Sequence, residues 1–397
     1  MPDARPAAST RSGSNRDDLR QGNLATLLRL VYQNRTISRA DLTSATGLNR
    51  STISDLISEL AALGLVSEID TKTEGRVGRP SNTVRISDSH FAISVIPRHH
   101  STSVALVGMD GRMVARERVV TPIHPSPEEV CEAIARGIAV VTSSLKKRDR
   151  LIGVAVAISG QIDSQNNSVR VCSMLRWVDV PFGAMLEERT GLRVKLDNDG
   201  TLACLAESTF GAGKGFDDIV YLFGGAGGIG GGFMIGGQLV RGSRGFAGEL
   251  GHIRVSDSKR VDSLGLPGTV EALVTRDDLE EVFGLDDPDD EELSASILST
   301  TSPRALRLID KKVQALALAL ANLVNIFNPQ VIVLSGFLKP LYEVNDYKLL
   351  REMRQFSIAG SREHVQIRTA DLGSRILEIG GAQLVFGDIL NNPTGAK

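Results

Sequence analysis

Residues 227–252 read G-G-I-G-G-G-F-M-I-G-G-Q-L-V-R-G-S-R-G-F-A-G-E-L-G-H, with eleven glycines in 26 positions. Glycine at this density serves a backbone that comes close to something else, or one that takes φ > 0 in a hairpin. Glycines flank Ile229 and Phe233, a turn falls at Gly236-Gly237, and a second run of small residues closes on Glu249 and His252. Spacing alone leaves two readings open. The run is either a glycine-rich hairpin that holds nothing, or a backbone lying against a bound group.

A chain of 397 residues is long enough for two or three domains with real cores. Its net charge of −2 hides an asymmetry. Residues 1–87 carry 12 Lys and Arg against 9 Asp and Glu, so a mildly basic N-terminal part precedes an acidic remainder. That balance permits nucleic-acid binding without requiring it. Cys131, Cys172 and Cys204 are scattered, odd in number and without metal spacing, and read as reduced thiols. No apolar run approaches the ~20 residues of a membrane helix, and the polar start lacks a signal-peptide core. A cytoplasmic protein with no membrane partner is expected.

Residues 1–19 hold little to bury and read as a disordered tail. From Asn23 a helical face begins with Leu24, Leu27, Leu28, Leu30 and Val31. Ser38-Arg39-Ala40-Asp41 opens a short second helix with Leu42 and Ala45 inward. Gly47 makes a turn, and Asn49 caps a third helix with Ile53, Leu56, Ile57, Leu60 and Leu63 on one face. Short helix, glycine turn and longer helix have the spacing of a helix-turn-helix. Arg50, Ser51, Thr52 and Ser54 lie on the polar front of the third helix, suited to base edges and phosphates. Residues 66–69 and 83–86 alternate as strands joined by a basic tip, a wing whose Arg76 and Arg79 would reach phosphate or the minor groove. The plainer alternative is a small helical domain with a solvated arginine loop.

Residues 87–90 read as a linker. Beyond them three strands are expected, at 91–96, at 103–107 and through Val120, with a turn at Asp110-Gly111. An amphipathic helix over 126–145 and a continuous apolar strand over 151–158 follow. A strand at 193–196 ends on Asp197-Asn198-Asp199-Gly200 before a helix, and strand carboxyl ends are where open α/β sheets place ligands. A second half starts near residue 215, with strands at 219–223, in the glycine hairpin and at 239–240. A long helix over 304–327, a buried strand at 331–334 and a closing helix over 376–390 complete it. The acidic run at 285–293 reads as a solvated loop rather than a metal site.

The glycine run resembles the signature of the ROK family of sugar kinases and sugar-responsive repressors. Gly228-Ile229-Gly230-Gly231-Gly232, Arg241-Gly242 and Ala247-Gly248-Glu249-Leu250-Gly251-His252 carry the match. Arg20 and Asn23, I-S-R-A-D-L at 37–42 and G-R-P-S at 78–81 resemble the winged-helix half of the family's repressors. The resemblance implies an α/β body of the hexokinase/actin-like type over residues 88–397, with two lobes meeting near residue 215. A winged helix-turn-helix domain over residues 20–87 precedes it.

In the family's kinases two glycine-rich hairpins cradle ATP and an Asp takes the sugar proton. Here the D-x-G-x-T of the first hairpin has become Ile96-Pro97-Arg98-His99-His100, and the Thr before the second is Gly227. The segment near adenosine reads Leu334-Ser335-Gly336-Phe337 in place of a glycine run. These losses imply a dead nucleotide site, no catalytic residue and no cofactor. The sugar side is kept. Asn198 and Asp199 stand in the family's E-N-D, Glu249 and His252 in its E-x-x-H, Glu271 at its last sugar-binding Glu, and Gly160 in the turn along the cleft. Amides, carboxylates and imidazoles fork between neighbouring hydroxyls. Many members also hold zinc through that His and a C-x-C-G-x-x-G-C loop. The matching residues 262–269 are D-S-L-G-L-P-G-T, so no metal is expected.

The implied protein is a transcriptional regulator, usually a repressor, with operator DNA and a small sugar or sugar derivative as partners. A homodimer or dimer of dimers is expected, because one recognition helix reads too few bases. Two rivals remain: an active sugar kinase with an appended DNA-binding domain, and a regulator whose body binds a protein.

Overall fold

The computed structural model describes residues 16–69, 83–286 and 288–395. It divides into two compact units, one running to His90 and including the chain from Phe386 onward, the other Phe91–Val385. The sequence pattern had placed that closing segment wholly in the body.

In the first unit α1 (Arg16–Asn34) starts within the stretch expected to be a tail, with Asp17 and Asp18 in its first turn, where acidic groups favour a helix start. It buries Leu24, Leu27, Leu28 and Val31. After β1 (Thr36–Ser38), Ser38 caps α2 (Arg39–Thr46) by accepting the Asp41 N–H at 3.1 Å and donating its own hydroxyl to the Asp41 carboxylate. Gly47, at φ 68°, ends α2, and Asn49 caps α3 (Arg50–Ala62) by accepting the Thr52 N–H at 2.9 Å. Leu42, Ile53, Leu56, Ile57 and Leu60 are buried, whereas Ala45, expected inward, is exposed because the short α2 turns only Leu42 to the core. β2 (Val66–Ile69) and β3 (Thr83–Ile86) pair antiparallel, with β3 also pairing β1. The tip between them, including Arg76 and Arg79, lies outside the described residues, as do residues 1–15. The Tyr32 ring meets Phe386 edge-on at 6.4 Å, and Arg29 donates to Asn391 at 3.0 Å.

The second unit uses one plan twice. β4 (His90–Pro97), β5 (Ser101–Gly108) and β6 (Met113–Val120) form an antiparallel meander. α4 (Pro127–Val141), opened by a Ser126–Glu129 capping box, leads to β7 (Arg150–Ile158) beside β4. A small sheet of β8 (Gln161–Asp163), β9 (Ser168–Cys172) and β10 (Trp177–Val180) follows, then α5 (Phe182–Thr190); no sequence pattern announced either. β11 (Val194–Asn198) pairs parallel with β7 and runs straight into α6 (Asp199–Phe210).

The second lobe repeats the meander with β12 (Ile219–Gly225), β13 (Gly228–Ile235) and β14 (Gln238–Leu239). Helices α7 (Val270–Leu273), α8 (Asp277–Phe283), α9 (Asp290–Ser299) and α10 (Pro303–Phe327) come next. β15 (Val331–Gly336) pairs parallel with β12 and, beyond three short helices, with β16 (Gln366–Thr369). Each sheet therefore sets a parallel pair, β11 with β7 and β16 with β15, beside a three-stranded meander, a duplication invisible as a sequence repeat. In the acidic run, Asp289 caps α9 by accepting the Glu291 and Glu292 N–H groups, and Asp290 pairs with Arg276, so its charges serve a helix start.

Candidate ligand cleft and nucleic-acid interface

At the front of α3, Arg50 and Ser51 are exposed and Thr52 and Ser54 half-buried. Ser51 donates to Asn49 at 2.7 Å, and Ser54 accepts from Arg39 at 3.0 Å. The two serines are thus partly spent within the fold, while Arg50 has no hydrogen-bond or ion-pair partner among the described residues. Arg39 also pairs with Glu68, which ties α2 to both α3 and β2. The sequence reading missed Arg39; its one signal was its place in the I-S-R-A-D-L segment.

In the second unit the cleft residues gather where β7 and β11 end. Asn198 caps α6 by accepting the Thr201 N–H at 3.1 Å and donates to the Gly160 carbonyl at 3.0 Å. Gly160 is held so tightly that a Cβ there would lie 2.2 Å from the Val171 carbonyl oxygen. Asp199, half-buried, accepts the Ser159 hydroxyl at 2.5 Å and the Gly200 N–H at 2.8 Å. Burial pushes its carboxyl above the usual range, against the pull of the Ser159 and Gly200 bonds and the charge of Arg98. Glu249 is raised too: burial dominates, His252 opposes it, and the Asp199 and Glu271 charges add to it. His252 Nε2 stands 3.9 Å from the Glu249 carboxylate, while Nδ1 is 2.8 Å from Asp262.

The predicted cleft residues therefore fall into two groups. Asp199, Glu249 and His252 share one electrostatic neighbourhood and keep polar atoms available. Gly160, Asn198 and Glu271 are engaged with the protein itself. Glu271 is buried and accepts the Ile229 N–H at 2.9 Å, the Ser263 N–H at 3.1 Å and the Ser263 hydroxyl. Two ion pairs unforeseen in the sequence reach across from the loop after β14: Arg241 to the buried Asp197, and Arg244 to Asp163 at 3.1 Å.

Much of the glycine run serves close packing. A Cβ on Gly200 would lie 2.7 Å from the Gly231 carbonyl oxygen, so α6 rests directly on β13. A Cβ on Gly251 would come within 2.0 Å of the Ile229 oxygen, whereas Gly227 and Gly230 have nothing within 4 Å. The two turns that match the kinases' phosphate hairpins carry bulky side chains. At the β4–β5 turn the Arg98 N–H is bonded to the Ser101 carbonyl at 2.7 Å. His99 and His100 meet there at 3.2 Å, and Arg118 donates to His100 at 3.1 Å. At the β12–β13 turn the rings of Phe223 and Phe337 lie against Gly225 and Gly224. A phosphate cradle needs free backbone N–H groups and room.

The model of the ROK family matches residues 98–387, most of the chain. The chain belongs to the ROK family. Among ROK relatives, the xylose repressor of Caldicellulosiruptor bescii is 26% identical over 94% of this chain and 98% of its own length. The glucokinase of Thermotoga maritima is 32% identical, over 59% of this chain and 78% of its own. A crystal structure of a ROK family transcriptional regulator, described as a homolog of the Escherichia coli MLC protein, superposes with a TM-score of 0.76 at 21% identity. It covers 94% of this chain and 97% of its own. The xylose repressor thus spans the chain nearly end to end and the glucokinase only part of it. No helix among the described residues is long and apolar enough to cross a membrane.

Proposed function

We propose that this ROK protein is a DNA-binding transcriptional repressor whose α/β body senses a sugar or sugar derivative and does not phosphorylate it. One observation carries the reading: Asp199, Glu249 and His252 share one electrostatic neighbourhood, while Arg98, His99, His100 and Arg118 occupy the turn a triphosphate would need. A ligand held there changes operator affinity by the difference in its binding to the DNA-competent and DNA-incompetent states. A twofold dimer presenting two copies of α3 would read a palindromic site. Arg50, Ser51, Thr52 and Ser54, with Arg76 and Arg79 of the wing, are the proposed DNA contacts. The names of the relatives put pentoses and hexoses first in the ligand panel.

Two measurements test this reading. In duplexes selected from a random pool, Arg50→Ala should lose about 1–3 kcal/mol of affinity for the selected site and relax preference at one base pair. Arg79→Ala should weaken all sequences alike and flatten the salt dependence by about one unit of slope. If both variants bind like the parent, the interface lies elsewhere. A coupled assay over the sugar panel should show no sugar-dependent ADP release. Turnover well above background would favour the runner-up, an active kinase with a DNA-binding domain, which the glucokinase relative keeps in view.

A further inference from the structure

Many ROK proteins hold zinc on the histidine that His252 matches, and the residues here do not fit it. Cys131, Cys172 and Cys204 all lie earlier in the chain than this loop, and structural zinc takes four closed ligands. His252, Asp262 and Glu271 do bring ligand atoms within 4.8 Å of one another. The lone pairs of Asp262, at the centre of the three, are nevertheless taken. Asp262 Oδ2 accepts His252 Nδ1 at 2.8 Å and the Thr269 hydroxyl at 2.9 Å, and Oδ1 accepts the Leu264 and Leu266 N–H groups, both at 2.9 Å. An ionised carboxylate offers about four acceptor sites, and all are occupied.

We propose that Asp262 takes the metal's place, its carboxylate acting as the hub that ties the loop of residues 253–269 to His252. It fixes the imidazole with Nδ1 as donor and Nε2 toward Glu249. The three positions that match the family's cysteines are 262, 264 and 269, and each contributes to this hub through a side chain or a backbone N–H. The Asp262 side chain is fully buried. Burial alone would raise its carboxyl, but the bonds from His252, Leu266, Thr269 and Leu264 outweigh it and hold the group below the usual range. It therefore only accepts, and His252 Nδ1 must carry the proton.

Beyond this the hub continues. Thr269, its proton given to Asp262, accepts the Ala272 N–H at 3.2 Å and so caps α7. That helix carries Glu271, which holds Ser263 and the Ile229 N–H of the glycine hairpin. A continuous network of hydrogen bonds thus joins the loop, α7, the hairpin and the imidazole. Asp262 is a positioning residue; its service to a bound sugar rests on the cleft reading above, whereas the hub itself does not.

The test uses the full chain and needs no sugar. Purified parent should contain substoichiometric zinc, and its melting temperature should be unmoved by EDTA or added zinc. Imidazole 15N NMR at about pH 8, with His252 assigned by its loss in His252→Gln, should show the proton on Nδ1. Asp262→Asn keeps an acceptor for Leu264 and Leu266 but turns an NH2 toward His252, so the proton should move to Nε2. A role in loop packing alone would not predict that move. Should Asp262→Asn not fold, Thr269→Val, which removes one donor and keeps the Asp262–His252 bond, should leave the parent's tautomer in place. Stoichiometric zinc, EDTA-sensitive melting, a parent proton on Nε2 alone, or an unmoved tautomer in folded Asp262→Asn would each overturn the proposal.

Discussion

Replacing Asp199 with Asn should leave DNA affinity at the parent's level and raise the sugar concentration needed for a response about ten- to a hundredfold. The factor follows from exchanging a charged acceptor for a neutral one, roughly 1.5–3 kcal/mol. Asn can keep the Gly200 N–H on its one oxygen and turn its NH2 toward the Ser159 hydroxyl oxygen, which can accept, so the start of α6 should stand. A thermal-shift screen of pentoses and hexoses picks the sugar, and DNA-binding titrations with and without it give the response. The substitution should also show in stability against pH. Burial raises the Asp199 carboxyl in the folded chain above its unfolded value. The stabilisation that goes with such a shift is fully present below the unfolded pKa of about 3.9 and is lost as pH rises through the folded one. Parent melting temperature should therefore fall relative to Asp199→Asn from about pH 4 upward. Glu249, raised in part by the Asp199 charge, is raised less in Asp199→Asn, which widens the gap in the same direction. An unchanged sugar response would place the sensor elsewhere, and a pH-independent gap would show that the Asp199 carboxylate is not desolvated.

What was legible in the sequence was local. Ser38 and Asn49 stand a fixed number of residues ahead of the N–H groups they cap, so the starts of α2 and α3 could be read directly. Asp197-Asn198-Asp199 is expected between a strand and a helix, and β11 does run straight into α6 there. What escaped were partners far apart in the chain. Arg241 with Asp197, Arg244 with Asp163 and Arg39 with Ser54 have no spacing that periodicity can detect. The strands of the β8–β10 sheet are too short to show alternation, and Arg176 and Asp179, at φ 59° and 52°, break the pattern around β10. Glu271 marks another boundary. Its position pointed to a ligand, but only three dimensions show its oxygens bound to Ile229 and Ser263. Patterns of apolar residues gave the succession of strands and helices, the resemblance of the glycine run implied the two-lobed α/β body, and the pairing of these polar side chains required the folded chain.

Two glycines of the organising run should respond in opposite ways to the same substitution. Gly251→Ala puts a methyl 2.0 Å from the Ile229 carbonyl oxygen and 3.0 Å from its carbon, both backbone atoms of β13 that cannot rotate aside. Overpacking of this kind costs about 1–3 kcal/mol, and more where backbone must shift. Glu249 and His252 flank the position, so sugar response should fall with stability. Gly230→Ala meets nothing within 4 Å. It should hold stability at the parent's level or raise it by about 0.4–1 kcal/mol, since alanine restricts the unfolded chain. In a working phosphate hairpin a methyl on that open surface would obstruct the bound group. With no triphosphate to hold, Gly230→Ala should keep both DNA binding and sugar response. Denaturant unfolding of the two variants beside the parent, followed by sugar titration of whichever folds, makes the comparison. A loss of response in a stable Gly230→Ala would mean that the hairpin still lies against a ligand. A Gly251→Ala as stable as the parent would mean that the run is not glycine-rich for packing.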